Sequence, residues 1–182
     1  YPPRFTRGSI FGHSGFDMVM DAISKGALTP GLLKKALTPV KGLKNLNVLT
    51  GNFRLENYEY YSEDSVPKLI DKCYRVFDIT ILLVNKWIYD AFTLAALLKS
   101  DVNIAAVEGS IAQFREFNTY ISFLKEKQDL PKEVTKFVLF NYDRAVSMPP
   151  AEAKEAAEGN LLGAVPASRK RMMYRSMNES YA

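Results

Sequence analysis

Few residues in this chain have the types and spacing that nucleophilic chemistry requires. In the run Gly12-His13-Ser14-Gly15 a serine follows the single histidine, but the elbow pattern G-x-S-x-G fails because Phe16 occupies its last position. Neighbouring residues rarely meet as nucleophile and base, so we interpret this run as a loop with a solvated histidine. The single cysteine, Cys73, lies among apolar residues at helical spacing, which predicts a buried structural thiol. We therefore predict no catalytic residue.

An acidic cluster is the nearest approach to a metal site. Glu56, Glu59, Glu63 and Asp64 are interleaved with tyrosines, and their spacing fits no defined metal-binding loop. A solvated loop that runs into a helix start explains the acids better, because carboxylates suit the positive end of the helix dipole. With one cysteine and one histidine, a zinc site would need carboxylates to complete it. We predict no metal ligand in this chain.

A basic cluster lies near the end of the chain. Arg169, Lys170, Arg171 and Arg175 stand beside several methionines. Such a cluster suits DNA phosphates or an anionic membrane surface. We favour the alternative, a C-terminal helix with a solvated basic face and a methionine-rich core face.

Composition indicates an ordinary globular protein. The 182 residues are 47% hydrophobic and 24% charged, with a net charge of +4. This is enough chain for one domain with a core, and its mild basicity does not favour a dedicated nucleic-acid binder. One cysteine permits no intrachain disulfide, and no apolar stretch approaches the roughly 20 residues of a membrane-spanning helix. We expect a cytoplasmic protein, and the first residue, Tyr1, leaves open whether the native start is included.

Helical and strand patterns alternate along the chain, which predicts βαβ crossovers. Predicted helices cover residues 16–24, 31–37, 62–76, 89–98, 110–125, 150–157 and 168–178, and predicted strands cover 45–49, 79–84, 102–107, 135–140 and 161–165. Residues 79–84 are apolar throughout except for Thr80, as expected for a strand buried on both faces of a parallel sheet. We predict a three-layer α/β/α fold with a mostly parallel sheet.

Four stretches, at residues 42–51, 68–82, 97–107 and 136–141 with 161–166, resemble the MinD/ParA group of P-loop ATPases in order and spacing. This group belongs to the SIMIBI class and includes the pilus-assembly relatives CpaE and TadZ. Leu139-Phe140-Asn141 is similar to the family's "vvlN" strand end, and Leu162-Gly163-Ala164-Val165-Pro166 is similar to its "llG.iP". The resemblance implies a P-loop NTPase-like fold, incomplete at its N-terminus, in one domain over residues 1–182.

The sequence departs from the family pattern at both phosphate-handling elements. Neither G-x-x-x-x-G-K-[ST] nor G-x-G-x-x-G occurs, so the Walker A strand, loop and helix are absent from these residues. The position of the Walker B aspartate falls on Leu83, which cannot supply the oxygen ligand that Mg²⁺ requires. Asn85 or Asp90 are the nearest polar substitutes, but no spacing demands either. The resemblance thus allows ATP or ADP as a ligand and argues against Mg²⁺.

The part of the family pattern that binds the nucleotide base is retained in this sequence. The resemblance assigns Asn141 to the asparagine that binds adenine and Pro166 to the loop that lines the base. A side-chain amide can both donate and accept, as a purine edge requires. The residues leave a second interpretation equally open, in which Asn141 ends the strand and caps a turn with Asp143.

The resemblance implies a degenerate ATPase that serves spatial positioning or assembly of a secretion, pilus or conjugation machine. It also implies a homodimer that meets the membrane surface or the secretion machinery, with nucleic acid a less favoured partner. Two alternatives stay open: an active MinD/ParA ATPase whose Walker A segment lies outside these residues, and an α/β interaction domain without a ligand.

Overall fold

Helices and strands alternate in the computed structural model, which describes residues 15–40, 43–51, 64–85, 90–130 and 132–176. The helices are α1 (Gly15–Ser24), α2 (Pro30–Ala36), α3 (Ser65–Tyr74), α4 (Ala91–Lys99), α5 (Ile111–Gln128), α6 (Pro150–Ala156) and α7 (Arg169–Ser176), and the strands are β1 (Thr38–Pro39), β2 (Asn47–Val48), β3 (Asn103–Val107), β4 (Thr135–Tyr142) and β5 (Leu161–Pro166). The chain divides into two units, unit 1 comprising Tyr1–Asn85 with Lys170–Ala182, and unit 2 comprising Lys86–Arg169. The single domain expected from the sequence stays a prediction.

Unit 1 contains helices α1, α2 and α3, together with most of α7. Gly26 adopts a φ of 65° after α1, and the Thr29 hydroxyl accepts a hydrogen bond from the Leu32 amide at the start of α2. Helix α1 contacts both α2 and α3. The buried apolar side chains of α1, α2 and α3 include Val19, Met20, Leu33, Leu69 and Ile70. Unit 1 therefore has an apolar core of its own.

Unit 2 contains a parallel sheet in the order β3-β4-β5. Helix α5 connects β3 to β4, and α6 connects β4 to β5, as parallel pairing requires. Alternate residues of β4 point into the core because a strand has a side-chain period of two. The core cluster joins one face of the sheet to α5 and α6, through Ala105, Val107, Phe114, Ile121, Phe137, Leu139, Ala153 and Ala157. The predicted α/β class with a parallel sheet is confirmed.

Two strand predictions are corrected by the structure. Residues 79–84 form no strand and are not buried: Ile79, Ile81 and Leu83 are 81%, 82% and 73% exposed. A strand exists only where a neighbour pairs with its backbone, and these residues have no such neighbour in the described part of the chain. The strand predicted at 45–49 is reduced to β2, which pairs antiparallel with β1.

Candidate functional site

The candidate site lies at the carboxyl edge of the parallel sheet in unit 2. Strands β3, β4 and β5 run in the same direction, so the residues that follow Val107, Tyr142 and Pro166 meet at one edge. Ligands of open α/β sheets bind in the crevice outside this edge, because loops and helix N-termini present polar groups there. The polar groups at the three strand ends are therefore the candidates for ligand binding.

Asn141 occupies an irregular position near the end of β4. Phe140 pairs with Val165 and Tyr142 pairs with Pro166, so Asn141 is the extra residue of a bulge in the ladder. Its φ is 54°, a left-handed conformation that asparagine adopts more readily than most residues with a side chain. Bulges redirect the side chain they carry. We therefore expect the half-buried side chain of Asn141 to point in a different direction from the one that regular alternation along β4 would give it.

Pro166 closes the neighbouring strand. Proline has no amide hydrogen, and the ladder is continued by the next residue, since the Ala167 amide donates to the Tyr142 carbonyl at 2.8 Å. The pairing of Tyr142 with Pro166 brings the proline beside the bulge that holds Asn141. The two residues that the sequence assigned to base binding are therefore adjacent at the same sheet edge. Their role in binding stays a prediction.

The turn after β4 is closed by its own side chains. The Asp143 carboxylate accepts a hydrogen bond from the Ala145 amide at 2.9 Å, and the Ser147 hydroxyl accepts one from the Asp143 amide at 3.1 Å. Asp143 thus forms the Asx turn that the alternative interpretation had linked to Asn141. The Met148 amide then donates to the Gly109 carbonyl at 3.2 Å, which ties this turn to the end of β3.

The end of β3 contributes a glycine and a helix cap that were not among the predicted site residues. Gly109 has a φ of 80°, which side chains rarely tolerate, and Ser110 caps α5 by accepting from the Gln113 amide at 3.3 Å. The Gln113 side chain in turn accepts a hydrogen bond from the Glu108 amide at 2.6 Å. The sequence signal that could have identified them is a glycine and a serine directly before a helix, a pattern that is typical of a strand-to-helix connection.

Two residues near the Walker B position, Leu83 and Asp90, are described by the structure. Leu83 is exposed, and Asp90, one possible substitute, caps α4 by accepting from the amide and the hydroxyl of Thr93 at 3.2 and 2.9 Å. Among the described residues, no three histidine, cysteine or acidic side chains are grouped as metal ligands would be. Three acids of the cluster before α3, together with His13 and Ser14, lie outside the described residues.

The basic helix α7 departs from its prediction in one respect. Arg169 and Lys170 are exposed, as a solvated basic face requires, but Met173 is also 52% exposed and so does not belong to a core face. No described helix has the length and apolar character needed to cross a bilayer.

Cys73 is a buried thiol, as predicted, and burial raises its pKa because the thiolate loses hydration. We expect a thiol-specific disulfide reagent to modify it much more slowly than a free cysteine at neutral pH. Denaturation in urea should remove the difference, since the unfolded thiol regains its ordinary pKa. Stopped-flow absorbance of the native and urea-unfolded protein tests this, and rapid modification of the native chain would contradict it.

Comparison with known proteins defines the fold. No protein-family model matches this sequence, and no curated protein matches it. The structure is similar to that of a ParA family ATPase from Chlorobium tepidum TLS, with 15% identity and a TM-score of 0.79 over 96% of this chain and 70% of that one. It is also similar to the MinD cell division protein of Aquifex aeolicus, with 15% identity and a TM-score of 0.63 over 90% of this chain and 70% of that one. The chain therefore has a MinD/ParA-like fold.

Proposed function

We propose that this protein is a nucleotide-binding member of the MinD/ParA type that has lost the chemistry of phosphate hydrolysis. The observation that carries the proposal is Asn141, which lies in a left-handed bulge beside Pro166 at the carboxyl edge of a parallel sheet. This edge is where α/β folds bind ligands, and it belongs to a chain whose fold resembles that of a ParA family ATPase.

Asn141 is suited to a purine base. Its amide oxygen accepts and its amide nitrogen donates, so one side chain can satisfy both a donor and an acceptor on the base edge. Pro166 adds an exposed apolar surface next to it, against which a base ring can pack. Because Asp143 and Ser147 close the following turn, that turn does not depend on Asn141 alone. Adenine in ATP or ADP is the proposed ligand group.

The phosphate-binding motifs of the family do not occur in these 182 residues. A β,γ-phosphate cradle needs backbone amides in a glycine-rich loop and a lysine, and the 182 residues contain no such motif. At the Walker B position Leu83 offers no oxygen to Mg²⁺, and Asp90 already holds the first turn of α4. We infer that nucleotide stabilises this protein without being hydrolysed by these residues, as suits a positioning or assembly factor.

A second candidate, an active ATPase, is favoured by one specific observation. The chain matches 70% of the ParA-family structure, so nearly a third of that structure has no counterpart here. A strand followed by K-G-G-x-G-K-[ST] in additional polypeptide would supply the phosphate cradle. Leu83 would still leave the Mg²⁺ position without its carboxylate.

Equilibrium dialysis with ATP and ADP, each in Mg²⁺ or in EDTA, tests the proposal. We expect binding that is insensitive to Mg²⁺ and no phosphate release. We expect Asn141→Ala to weaken binding about ten-fold, the loss of about 1.4 kcal/mol that one or two hydrogen bonds contribute. The thermal unfolding midpoint in the presence of nucleotide should shift less for this variant than for the unmodified protein.

Asn160→Ala is the matched control. Asn160 lies at the opposite, amino edge of the same sheet, where its side chain accepts a hydrogen bond from the Lys136 ammonium at 2.8 Å. Its replacement should leave nucleotide affinity unchanged. Tight, Mg²⁺-dependent binding with turnover would favour the active ATPase, and no binding of either nucleotide would favour an interaction domain without a ligand.

A further inference from the structure

Two arginines lie at the carboxyl edge of the sheet in unit 2, beside the residues proposed to bind the base. Arg144 comes two residues after the end of β4, and Arg169 comes three residues after the end of β5. The pairing of Tyr142 with Pro166 places these two strand ends side by side. Both arginines are exposed, and both belong to the same compact unit as Asn141. A ligand at this edge can therefore meet both side chains.

The contacts of the two arginines do not explain why cations occupy these positions. Neither side chain forms an ion pair or a hydrogen bond with another described residue. Arg144 lies in a turn that the Asp143 carboxylate and the Ser147 hydroxyl close without its side chain. Arg169 begins α7, where the helix dipole favours anionic rather than cationic side chains. Both guanidinium groups are thus available to an anion.

The charges at this edge are distributed unequally along the sheet. Glu108 follows β3 and is exposed, whereas the two arginines follow β4 and β5. The Asp143 carboxylate already accepts a hydrogen bond from the Ala145 amide. An anionic group attached to a base at Asn141 is therefore repelled on the side of β3 and attracted on the side of β4 and β5.

We propose that Arg144 and Arg169 bind the phosphate groups of the nucleotide whose base contacts Asn141. The proposal rests on the proposed function, because it takes an adenine nucleotide as the ligand. The phosphates of ATP need positive charge, and the 182 residues contain no glycine-rich loop with its lysine to supply it. A guanidinium group donates two parallel hydrogen bonds to phosphate oxygens, so it binds them without Mg²⁺. The phosphates then extend beyond β4 and β5, away from Glu108.

Equilibrium dialysis in EDTA with ATP and with adenosine tests this assignment, since adenosine has the base but no phosphate. We expect ATP to bind more tightly than adenosine, and the difference to shrink as potassium chloride is added, because salt screens exposed charges. Arg144→Gln and Arg169→Gln should each weaken ATP binding about three- to five-fold, the effect of one exposed charge pair. Neither variant should change the affinity for adenosine.

Lys154→Gln is the matched control. It also removes one positive charge from unit 2, but Lys154 lies in the last turn of α6, which leads to the amino edge of the sheet where β5 begins. Its replacement should leave the affinity for ATP unchanged, and an equal loss in this variant would show that only the net charge matters, which overturns the proposal.

Three further results would overturn the proposal and leave the proposed function standing. These are equal affinities for ATP and adenosine, arginine variants that bind ATP as the unmodified protein does, and arginine variants that lose adenosine as well, which would place the guanidinium groups on the base. If neither ATP nor adenosine binds, the proposed function fails and this assignment fails with it.

Discussion

Replacing Phe137 with alanine is expected to lower the free energy of unfolding of unit 2 by about 3–5 kcal/mol, the range for a buried phenylalanine. Phe137 is 2% exposed at the centre of β4, and its ring packs against Phe114 at 5.4 Å and Phe117 at 6.3 Å between ring centroids. Alanine would remove these contacts and leave a cavity between the sheet and α5, because a close-packed core relaxes only in part.

The loss is large compared with the roughly 5–15 kcal/mol that stabilise a typical domain. Since β4 also carries Asn141, we expect nucleotide binding to fail at the temperature where this variant unfolds. Urea denaturation followed by circular dichroism gives the change in free energy. Phe140→Ala provides the comparison on the same strand, because Phe140 is 38% exposed and should cost much less. Equal losses for the two variants would show that this core does not support the sheet.

Replacing Gly15 with alanine is expected to destabilise unit 1 by about 1–3 kcal/mol, the usual cost of overpacking. Gly15 is buried at the start of α1, and a Cβ atom there would collide with the backbone carbonyl of Ala36 at the end of α2. A backbone atom cannot move aside as a flexible side chain can. The two helices would have to separate, which weakens the contacts around Val19 and Leu33.

Gly31→Ala is the matched control for this substitution. Gly31 lies in α2, and a Cβ atom added to it would meet no other atom within 4 Å, so alanine there should be neutral or stabilise by up to about 1 kcal/mol. Thermal unfolding of both variants measures the difference. If the two substitutions change stability alike, the close approach of α1 to α2 does not limit the residue at position 15. A larger loss for Gly15→Ala would assign Gly15 a packing role.

The sequence alone determined the elements whose signals are local. Thr29-Pro30 and Ser110 mark helix starts, and the apolar run within residues 135–140 predicts β4, because caps and strand composition act within a few residues. The order of these elements also carried the resemblance that the MinD/ParA-like fold bears out. Because the resemblance assigns Asn141 and Pro166 to the ends of strands in a parallel sheet, the sequence also predicts the sheet edge at which they lie.

Tertiary structure decided the strand pairing and the burial of each segment, because both depend on which other segment lies against it. The left-handed conformation of Asn141 follows from the register of β4 against β5, where one strand has a residue more than the other between paired positions. The composition of residues 79–84 predicts a strand, yet they are unpaired, since strand formation depends on a neighbour that composition does not specify. The methionine-rich core face predicted for α7 does not include Met173, because burial depends on the segments that pack against a helix. Local residue preferences favour a helix or a strand, whereas strand pairing and burial depend on the other segments that contact that helix or strand.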